Sequence, residues 1–495
     1  MKLDKLIELL KPDKVENAKN LSDIEVSEIS YNSKTTQKGD IFVCLVGEKT
    51  DGHKYAKMAQ DAGAVAILAQ TLPEGISVPV LLVKDTQHTI ADLAGIIFDY
   101  PSRKLNLIGI TGTNGKTTVT HLVERIFEYN KKSCGLIGTL GYKLNYDDTY
   151  KDAKHTTPQA PELQRTLKLM LEHKIENVAM EVSSHALAQN RVGACLFNCA
   201  VLTNLTQDHL DYHITMQNYF EAKAILFKNL PKGASAIINA DDERAKDFIS
   251  VVPSGVKILT YGIEKDADIK ASDLNFSTYG SSFKCKTPFG EYKINLQMTG
   301  LFSIYNALAA LTTAISQELD INLTIKALEE THGVAGRFEA ITKEPLTIVD
   351  YAHTPDGLEN VLNAARKILP DNGRLVCVFG CGGDRDATKR PKMGAIAEKL
   401  SDIAIVTSDN PRSEDPQQII TDILSGIKSL SQDKIMVEAD RHLAIKLASQ
   451  ISKPSDIVVI AGKGHEDYQI LRDKTIHFDD REEVRNAFAK EKAGA

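Results

Sequence analysis

A seven-residue segment, Gly112-Thr113-Asn114-Gly115-Lys116-Thr117-Thr118, lies between an apolar run, Leu105 to Ile110, and a stretch of helical periodicity. Glycines let the backbone wrap closely, so that successive amide groups can point at phosphate oxygens. Lys116 adds a mobile positive charge, and the Thr117 hydroxyl can bind a magnesium ion. The segment therefore predicts a phosphate-binding loop that opens a helix, with a nucleoside triphosphate as its ligand.

The residues after this loop support that prediction. Apolar side chains recur there at helical spacing, at Val119, Leu122, Val123, Ile126 and Phe127, so the positive end of a helix dipole would face the phosphates. The position five before Gly115 is Ile110 rather than glycine, which departs from the strict Walker motif. An ordinary glycine-containing turn is the alternative, and the order of strand, loop and amphipathic helix favours the phosphate loop.

Length and charge narrow the class of protein. A chain of 495 residues is too long for one core and suggests about three domains. Its net charge of −7, without a long basic run, argues against general nucleic-acid or membrane binding and favours small-molecule partners. The start, Met1 to Leu10, reads as a short amphipathic helix rather than a signal peptide, and the sequence has no apolar stretch of about twenty residues. We expect a cytoplasmic monomer.

The seven cysteines favour a reducing compartment over a disulfide framework. Cys195/Cys199 and Cys377/Cys381 share a spacing that suggests metal binding, but Cys195, Cys199 and Cys377 lie in or beside apolar segments. Cysteine in such segments acts as a small hydrophobic residue, and we do not predict a zinc site.

Short apolar runs alternate with helical segments along most of the chain, which is typical of α/β folds with parallel sheets. Pro101-Ser102 and Gly333 to Gly336 mark breaks, and we predict domains at 1–100, 101–335 and 336–495. Between Ile258 and Met298 the pattern becomes alternating and rich in turns, which predicts a small antiparallel patch on the nucleotide domain. The predicted strands are Val65 to Ala69, Val78 to Val83, Leu105 to Ile110, Val178 to Val182, Ala200 to Thr203, Ala236 to Asn239, Leu346 to Asp350, Arg374 to Phe379, Ile403 to Thr407 and Ile457 to Ala461.

Polar residues cluster where these strands end, which is where ligands bind in open α/β sheets. Glu181 and His209 each follow a predicted strand and are candidate magnesium ligands beside the Lys116 loop. A capping acid and a structural histidine are the alternatives. Lys223 lies in a mostly apolar helical stretch, where composition alone favours a solvated lysine.

Several ordered motifs together closely resemble the Mur ligases, ATP-dependent amide-forming enzymes of peptidoglycan precursor synthesis. The resemblance covers essentially the whole chain. It rests on Gly112 to Thr118, Glu181-Val182-Ser183-Ser184-His185, Thr203-Asn204-Leu205-Thr206-Gln207-Asp208-His209, Gly336-Arg337-Phe338-Glu339 and Asp350-Tyr351-Ala352-His353. Further motifs resemble the family members that add the third residue of the stem peptide, namely Thr156-Thr157-Pro158, Asp384-Arg385-Asp386, Asp409-Asn410-Pro411-Arg412 and Gly462-Lys463-Gly464-His465-Glu466.

The resemblance implies a UDP-binding N-terminal α/β domain, a central ATPase with a phosphate loop and parallel sheet, and a C-terminal Rossmann-like domain that receives the amino acid. It implies that ATP and Mg²⁺ are used to add meso-diaminopimelate to UDP-N-acetylmuramoyl-L-alanyl-D-glutamate through an acyl phosphate, with Lys116, Glu181, His209 and Lys223 as catalytic residues. Lys223 matches a lysine that becomes carbamylated (N6-carboxylysine) and binds a magnesium ion with Thr117, Glu181 and His209. Catalysis would require domain closure.

Other roles also come from the resemblance. It assigns ATP contacts to Asn306, Arg337 and Asp350 as well as to the phosphate loop, and UDP-muramoyl-dipeptide contacts to Ser33, Thr156, Thr157, Ser183, Gln189 and Arg191. It assigns the amino acid to Arg385, Asp409, Asn410, Pro411, Arg412, Gly462 and Glu466. His353 is a candidate for positioning or proton transfer. Ser303 and His155 stand where the family usually has asparagine.

The choice of amino acid has a physical basis. Meso-diaminopimelate carries a distal carboxylate that lysine lacks, and Arg412 offers a bidentate fork for it, with Asn410 beside it and Glu466 available for the distal ammonium. A buried arginine left without a partner would disfavour lysine. The alternatives are a surface-turn role for Arg412, a ligase that uses L-lysine, a folate-polyglutamate-type ligase, and a nucleotide-dependent switch protein.

Overall fold

The computed structural model describes residues 1–47, 50–146, 148–151, 155–277, 280–429, 431 and 433–490. Internal contacts divide the described chain into two compact units. Unit 1 contains Met1–Tyr261 and Thr312–Asp320, and unit 2 contains Gly262–Leu311 and the chain from Ile321 onward. The predicted three-domain boundaries stay a prediction.

The N-terminal part of unit 1 is an α/β sheet with strand order β1-β5-β4-β3-β2. Its strands β2 to β5 run parallel, and β1 pairs antiparallel with β5. The helices cover a core of aliphatic side chains, including the amphipathic α1 predicted from the first ten residues. The elements are α1 (Leu3–Leu10), β1 (Lys14–Glu16), β2 (Glu28–Ser30), β3 (Asp40–Val43), α2 (Ala56–Asp61), β4 (Ala66–Ala69), β5 (Val80–Leu82) and α3 (Thr86–Ile97).

The remainder of unit 1 is built on a second sheet with strand order β12-β11-β10-β6-β9-β7-β8. All neighbours in it are parallel except β7 and β8. The elements are β6 (Asn106–Thr111), α4 (Lys116–Tyr129), β7 (Cys134–Gly138), β8 (Gly141–Lys143), α5 (Ala160–Glu172), β9 (Asn177–Glu181), α6 (Ser184–Ala188), β10 (Cys199–Leu202), α7 (Leu210–His213), α8 (Met216–Lys228), β11 (Ser235–Asn239), α9 (Ala245–Ser250) and β12 (Lys257–Gly262).

The register of this sheet positions the site. Strand β6 lies between β9 and β10, with Ile110 opposite Glu181 and Thr111 opposite Leu202. The three strands are buried along nearly their whole length, as expected for parallel strands covered on both faces. Because they run in one direction and end level, the loops that follow them meet at one edge of the sheet.

Unit 2 contains the predicted antiparallel patch. Strands β13 (Ile269–Ser277), β14 (Gly280–Thr287) and β15 (Gly290–Leu296) pair antiparallel, and Thr278 and Tyr279 of the predicted patch lie outside the described residues. The predicted start at Ile258 is wrong, because that residue belongs to β12, which pairs parallel with β11. The first two residues of β12, Lys257 and Ile258, are exposed, as residues of an edge strand often are.

The rest of unit 2 is a doubly covered sheet with order β16-β17-β21-β18-β19-β20, parallel except for β16. Apolar clusters pack on both of its faces. The elements are α10 (Leu301–Ser316), α11 (Ile321–Glu329), β16 (Glu339–Lys343), β17 (Leu346–Asp350), α12 (Pro355–Lys367), β18 (Leu375–Phe379), α13 (Lys389–Leu400), β19 (Ile403–Val406), α14 (Pro416–Leu424), β20 (Ile435–Val437), α15 (Arg441–Ile451), β21 (Ile457–Ala461), β22 (Tyr468–Ile470), β23 (Thr475–His477) and α16 (Asp480–Lys490). α10 passes from unit 2 into unit 1 after Leu311.

Every strand predicted from the sequence is present, within about two residues at each end. The seven cysteines are free thiols, and burial raises the pKa of Cys195, Cys199, Cys377 and Cys381 to about 12. In the described part of the chain, we find no helix that combines the length and the apolar character needed to cross a membrane.

Candidate active site

The phosphate loop connects β6 to α4, as predicted. Gly115 immediately precedes the helix with φ +86°, and Gly112 has φ +152°. A Cβ atom on Gly112 would lie 1.8 Å from Thr203 Oγ1, so glycine is required there for steric reasons as well as for its backbone angle. Lys116, Thr117 and Thr118 form the first turn of α4, which directs its unpaired amide groups toward the loop.

A second loop, after β10, holds the phosphate loop in place. Thr113 donates its backbone N–H to Asn204 O at 2.9 Å, and Asn114 donates its backbone N–H to Asn204 Oδ1 at 2.9 Å. The Thr203 hydroxyl donates to Asn114 O at 2.6 Å. Asn204 therefore fixes the shape of the phosphate loop, a role that sequence reasoning missed although its place directly after a strand was a signal.

Two lysines meet at one carbonyl of this loop. Lys116 and Lys223 donate to Gly112 O at 2.9 and 2.8 Å. The Lys223 side chain is 1% exposed, so the solvated lysine favoured by composition is wrong. Burial, and then the charge of Lys116, hold the pKa of Lys223 well below its usual value. The side chain of Lys223 also lies 4.6 Å from the centre of the Tyr219 ring.

Glu181 is the centre of a buried hydrogen-bond network at the end of β9. The Thr117 hydroxyl donates to Glu181 Oε2 at 3.0 Å, which joins this carboxylate to the phosphate loop. Thr139, after β7, donates its N–H to Oε1 at 2.8 Å and its hydroxyl to Oε2 at 3.1 Å. A Cβ atom on Gly138 would lie 2.3 Å from Oε1, so a small residue is needed beside the carboxylate. Sequence reasoning missed Thr139.

The same network reaches the residues assigned to the muramoyl-dipeptide. The hydroxyl oxygens of Thr139 and Thr156 lie 3.2 Å apart, and because the one hydroxyl proton of Thr139 goes to Glu181, the Thr156 hydroxyl is the donor between them. The Thr157 hydroxyl donates to Glu181 O at 2.9 Å. Ser183 donates its N–H to Thr157 Oγ1 at 3.0 Å. Arg191 completes this group, because it donates to Thr157 O at 3.0 Å.

Gln189 also belongs to this group, because its Oε1 accepts two hydrogen bonds from Arg191. The guanidinium of Arg191 is thus held by one side-chain amide and one backbone carbonyl. Ser33 lies apart, between β2 and β3, where its hydroxyl donates to Met58 Sδ at 3.2 Å.

His209 lies at the surface, beside Asp208 and in ring contact with His185 at 4.7 Å. Its backbone is left-handed, with φ +53°. Both His209 and Lys223 pack against Tyr219. The described His, Cys, Asp and Glu side chains contain no group of three or more arranged to hold a metal ion. The predicted magnesium ligands include only two such side chains, Glu181 and His209; the other two ligands are Thr117 and a modified Lys223.

Unit 2 contains the remaining residues assigned to ATP. Asp350 ends β17, is half-buried, and accepts hydrogen bonds from the backbone N–H groups of Phe338 and Ala352 at 2.7 and 2.8 Å. Burial raises its pKa, and the nearby Arg337 opposes that rise. Arg337 lies over the Tyr351 ring at 4.9 Å. These contacts fix the β16–β17 end of the sheet.

Two further predicted positions lie in unit 2. Asn306 is buried in α10. Ser303, one turn earlier, donates its hydroxyl to Thr299 O at 2.8 Å, so the serine that departs from the family is used for backbone hydrogen bonding. His353 is exposed, and its Nδ1 contacts Tyr351 O at 2.8 Å.

The residues assigned to the amino acid come together after β19 and β21. Asn410 donates its Nδ2 hydrogen to Glu466 Oε2 at 2.8 Å. Lys463, fully buried, lies 3.1 Å from Glu466 Oε2 and 3.6 Å from Asp409 Oδ1. Gly462 has φ +124°, and a Cβ atom there would lie 3.4 Å from Asp409 Oδ2. Sequence reasoning named the Gly462 to Glu466 motif but missed Lys463 as a contact.

Arg412 lies in the loop after β19 and contacts the loop after β18. It follows Pro411 with φ +53° and donates Nη1 to Gly383 O at 2.8 Å. Its side chain is half-buried. The prediction that lysine in the site would leave this arginine buried without a partner stays a prediction. Arg385 is exposed and donates to Asp384 O at 3.1 Å.

Family models match most of the chain. The Mur ligase middle domain matches residues 110–314, and the glutamate ligase domain of Mur ligases matches residues 336–464. The catalytic domain model of the Mur ligase family matches residues 25–95.

Individual proteins are similar over nearly their whole length. A Bacillus velezensis protein, UDP-N-acetylmuramoyl-L-alanyl-D-glutamate--2,6-diaminopimelate ligase, is 44% identical over 97% of this chain and 98% of its own. A Clostridium botulinum protein of the same name is 45% identical over 93% and 94%. A solved structure of an enzyme with that name has a TM-score of 0.71 at 33% identity and covers 99% of both chains. The Thermotoga maritima MurF ligase in complex with ADP has a similar fold, with a TM-score of 0.62 at 20% identity over 96% and 100%.

Proposed function

The chain belongs to the Mur ligase family, and we propose that it adds meso-diaminopimelate to UDP-N-acetylmuramoyl-L-alanyl-D-glutamate. It is an ATP-dependent, ADP-forming amide ligase of peptidoglycan precursor synthesis. In the first step a carboxylate oxygen of the substrate's D-glutamate forms a bond to the γ-phosphorus of ATP, and ADP leaves. In the second step the amino nitrogen of diaminopimelate attacks the acyl carbon, the bond to phosphate breaks, and the nitrogen loses a proton.

One observation carries the assignment of the site. The continuous network from Thr117 through Glu181 and Thr139 to Thr156 joins the phosphate loop to the residues assigned to the dipeptide. Such a link suits a reaction in which a carboxylate must approach a phosphate. A nucleotide switch has no need for a second anion site beside its phosphate loop.

The approach of two anions requires positive charge. Lys116, at the end of the phosphate loop, lies where it could neutralise phosphate oxygens once it leaves the loop carbonyls. Arg191 could hold the substrate's carboxylate, because its guanidinium is already oriented by Gln189 and Thr157.

The residues also suit a magnesium ion. The Thr117 hydroxyl and the Glu181 carboxylate are adjacent hard oxygen donors beside the phosphate loop, and Mg²⁺ is usually held by one or two carboxylates with phosphate oxygens and water. Magnesium would supply charge neutralisation for the transferred phosphoryl group. His209 and a modified Lys223 would complete the set.

The environment of Lys223 favours its modification. Only a neutral amine can attack carbon dioxide, and burial, which lowers the pKa of Lys223, favours the neutral form. The nitrogen–carbon bond forms, a proton is lost, and the product is a carbamate anion. That anion would lie beside the Lys116 ammonium and form an attractive ion pair with it.

The residues proposed to bind the amino acid all belong to unit 2. Arg412 would bind the distal carboxylate, Glu466 the distal ammonium, and Asp409, Asn410 and Gly462 would shape the pocket, with Arg385 as a further cation at its rim. Asn306, Arg337 and Asp350 would contact the nucleotide, and Ser33 the uridine end of the other substrate.

The test is a coupled assay of phosphate release with mass spectrometry of the product. With ATP, Mg²⁺ and the UDP-muramoyl-dipeptide, we expect meso-diaminopimelate to support turnover and a product that gains one amide bond. Turnover with L-lysine in its place would assign the alternative substrate. Phosphate release at a rate that depends on neither the dipeptide nor the amino acid would favour a switch protein and overturn the proposal.

A further inference from the structure

Lys463 is a fully buried lysine between β21 and β22, and the proposed reaction gives it no role. Its side chain has no exposed surface. Its ammonium lies 3.1 Å from Glu466 Oε2, 3.2 Å from Asn410 Oδ1 and 3.6 Å from Asp409 Oδ1. A buried charge is tolerated only with such partners. All three partners belong to the set assigned to the amino acid.

The first effect of Lys463 is on the amide of Asn410. Asn410 Oδ1 accepts from Lys463 and from the backbone N–H of Ile470, at 3.2 and 2.9 Å. Two donors at one end of the amide require the oxygen there. The amide nitrogen must then face Glu466, to which it donates at 2.8 Å.

The second effect is on Glu466. Lys463 and Asn410 both donate to its Oε2 atom, at 3.1 and 2.8 Å. A carboxylate has about four acceptor positions, so Oε1 keeps the capacity to accept from a ligand. The carboxylate is thus held by one oxygen and presents the other.

We propose that Lys463 is a positioning and specificity residue of the amino-acid site. It orients Glu466 and Asn410, and it sets the charge of the pocket. This inference rests on the proposed function, since it takes Glu466 as the partner of the distal ammonium.

The charges support a role in specificity. Asp409 and Glu466 contribute two negative charges beside Lys463, which cancels one of them and leaves one for the distal ammonium, while Arg412 supplies the positive charge for the distal carboxylate. Without Lys463, the excess negative charge would repel the distal carboxylate of diaminopimelate. L-lysine has no such carboxylate. Loss of Lys463 should therefore lower kcat/KM for diaminopimelate more than kcat/KM for L-lysine.

The experiment compares Lys463→Met, Glu466→Gln and the double variant by steady-state kinetics of phosphate release. For Lys463→Met we expect KM for meso-diaminopimelate to rise on the order of 10- to 100-fold, with a smaller change in kcat and in KM for ATP. The ratio of kcat/KM for diaminopimelate over that for L-lysine should fall. Lys446→Met, which changes an exposed lysine of α15, is the matched control and should leave both constants unchanged.

The double variant separates positioning from general damage. If Lys463 acts through Glu466, its loss should add little once Glu466 is already glutamine. Fully additive effects, or an equal rise in the KM values of all three substrates, would overturn the inference. Lys463→Gln keeps a donor to Glu466 and should give an intermediate KM, which provides a second variant should methionine impair folding.

Calorimetric binding of meso-diaminopimelate separates this inference from the proposed function. Wild-type protein that binds the amino acid but makes no amide would contradict the function and keep the inference, provided that Lys463→Met weakens binding. Active wild-type protein whose KM is unaffected by Lys463→Met would contradict the inference alone. Absence of both binding and turnover would overturn both.

Discussion

Arg412 provides the most direct residue-scale test of the amino-acid site. We expect Arg412→Ala to raise KM for meso-diaminopimelate on the order of 10- to 100-fold, because a charge-assisted contact to the distal carboxylate is lost. KM for ATP should change little. Arg472→Ala, at an exposed position in the β22–β23 hairpin, is the control. An unchanged KM for the amino acid would remove Arg412 from the site.

Thr139 tests the network around Glu181. Thr139→Val keeps the backbone hydrogen bond to Oε1 but removes the hydroxyl that donates to Oε2 and accepts from Thr156. We expect kcat to fall roughly tenfold, since the carboxylate loses one of the groups that orient it. Thr166→Val, which removes the hydrogen bond from the Thr166 hydroxyl to Glu162 O within α5, should leave kcat unchanged. Equal effects of the two variants would argue against a positioning role.

Lys223 tests the modification. Intact-protein and peptide mass spectrometry at neutral pH in bicarbonate should detect one added carbon dioxide on the peptide that contains Lys223. Lys223→Arg cannot form the carbamate and should lose nearly all phosphoryl transfer. An active, magnesium-bound crystal with an unmodified amine would contradict this prediction.

At the scale of elements, α4 and β8 are joined by a buried ion pair. Glu124 lies 3.0 Å from Lys143, and both side chains are almost fully buried. Burial raises the pKa of Glu124 to about 7, although Lys143 opposes the rise. The folded state therefore keeps a proton that the unfolded state has already released.

That proton makes stability depend on pH. Between the ordinary pKa of 4.5 and the folded value of about 7, the folded state binds more protons, so its stability decreases as the pH rises, by about 3 kcal/mol in total. Calorimetric unfolding from about pH 5 to about pH 8 should show this decrease. Glu124→Gln combined with Lys143→Met should flatten it, because no buried ion is left at the pair. An unchanged slope would assign the dependence to other groups.

Elements were predictable where one physical rule dominated. The buried strands β10, β18 and β21 are almost wholly apolar, and β6 and β9 are apolar between polar end residues; each was predicted. Strand β7 was missed because its glycines, Gly135 and Gly138, weaken the apolar signal, although Gly138 is needed beside Glu181. Most of strand β12 was placed in the antiparallel patch because the sequence from about Ile258 onward alternates and is rich in turns, a pattern that does not show which strand β12 pairs with.

At the scale of the molecule, the sequence supplied candidate site residues but not the side chains that hold them in place. Motif residues were found because glycines, lysines and carboxylates at strand ends indicate phosphate and metal chemistry. Asn204, Thr139 and Lys463 were missed because their roles are contacts to other side chains, which depend on tertiary packing. The burial of Lys223 likewise follows from how α8 packs, and composition cannot reveal it.

The two half-reactions are proposed for residues of different units. The phosphate loop, Glu181 and Thr139 belong to unit 1, whereas Arg412 and Glu466 belong to unit 2. Hydroxylamine can replace the amino acid, because it attacks the acyl carbon of an acyl phosphate, releases phosphate and leaves a hydroxamate. It needs no side-chain recognition.

Hydroxamate formation should therefore separate the variants. With ATP and the UDP-muramoyl-dipeptide but no amino acid, Arg412→Ala should form hydroxamate at the wild-type rate, because its defect lies in recognition of diaminopimelate. Thr139→Val should be slower with hydroxylamine and with diaminopimelate alike, since acyl-phosphate formation precedes both. Omission of ATP is the blank. A defect of Arg412→Ala in hydroxamate formation as large as its defect with diaminopimelate would place Arg412 in phosphoryl transfer and contradict the division of the reaction between the units.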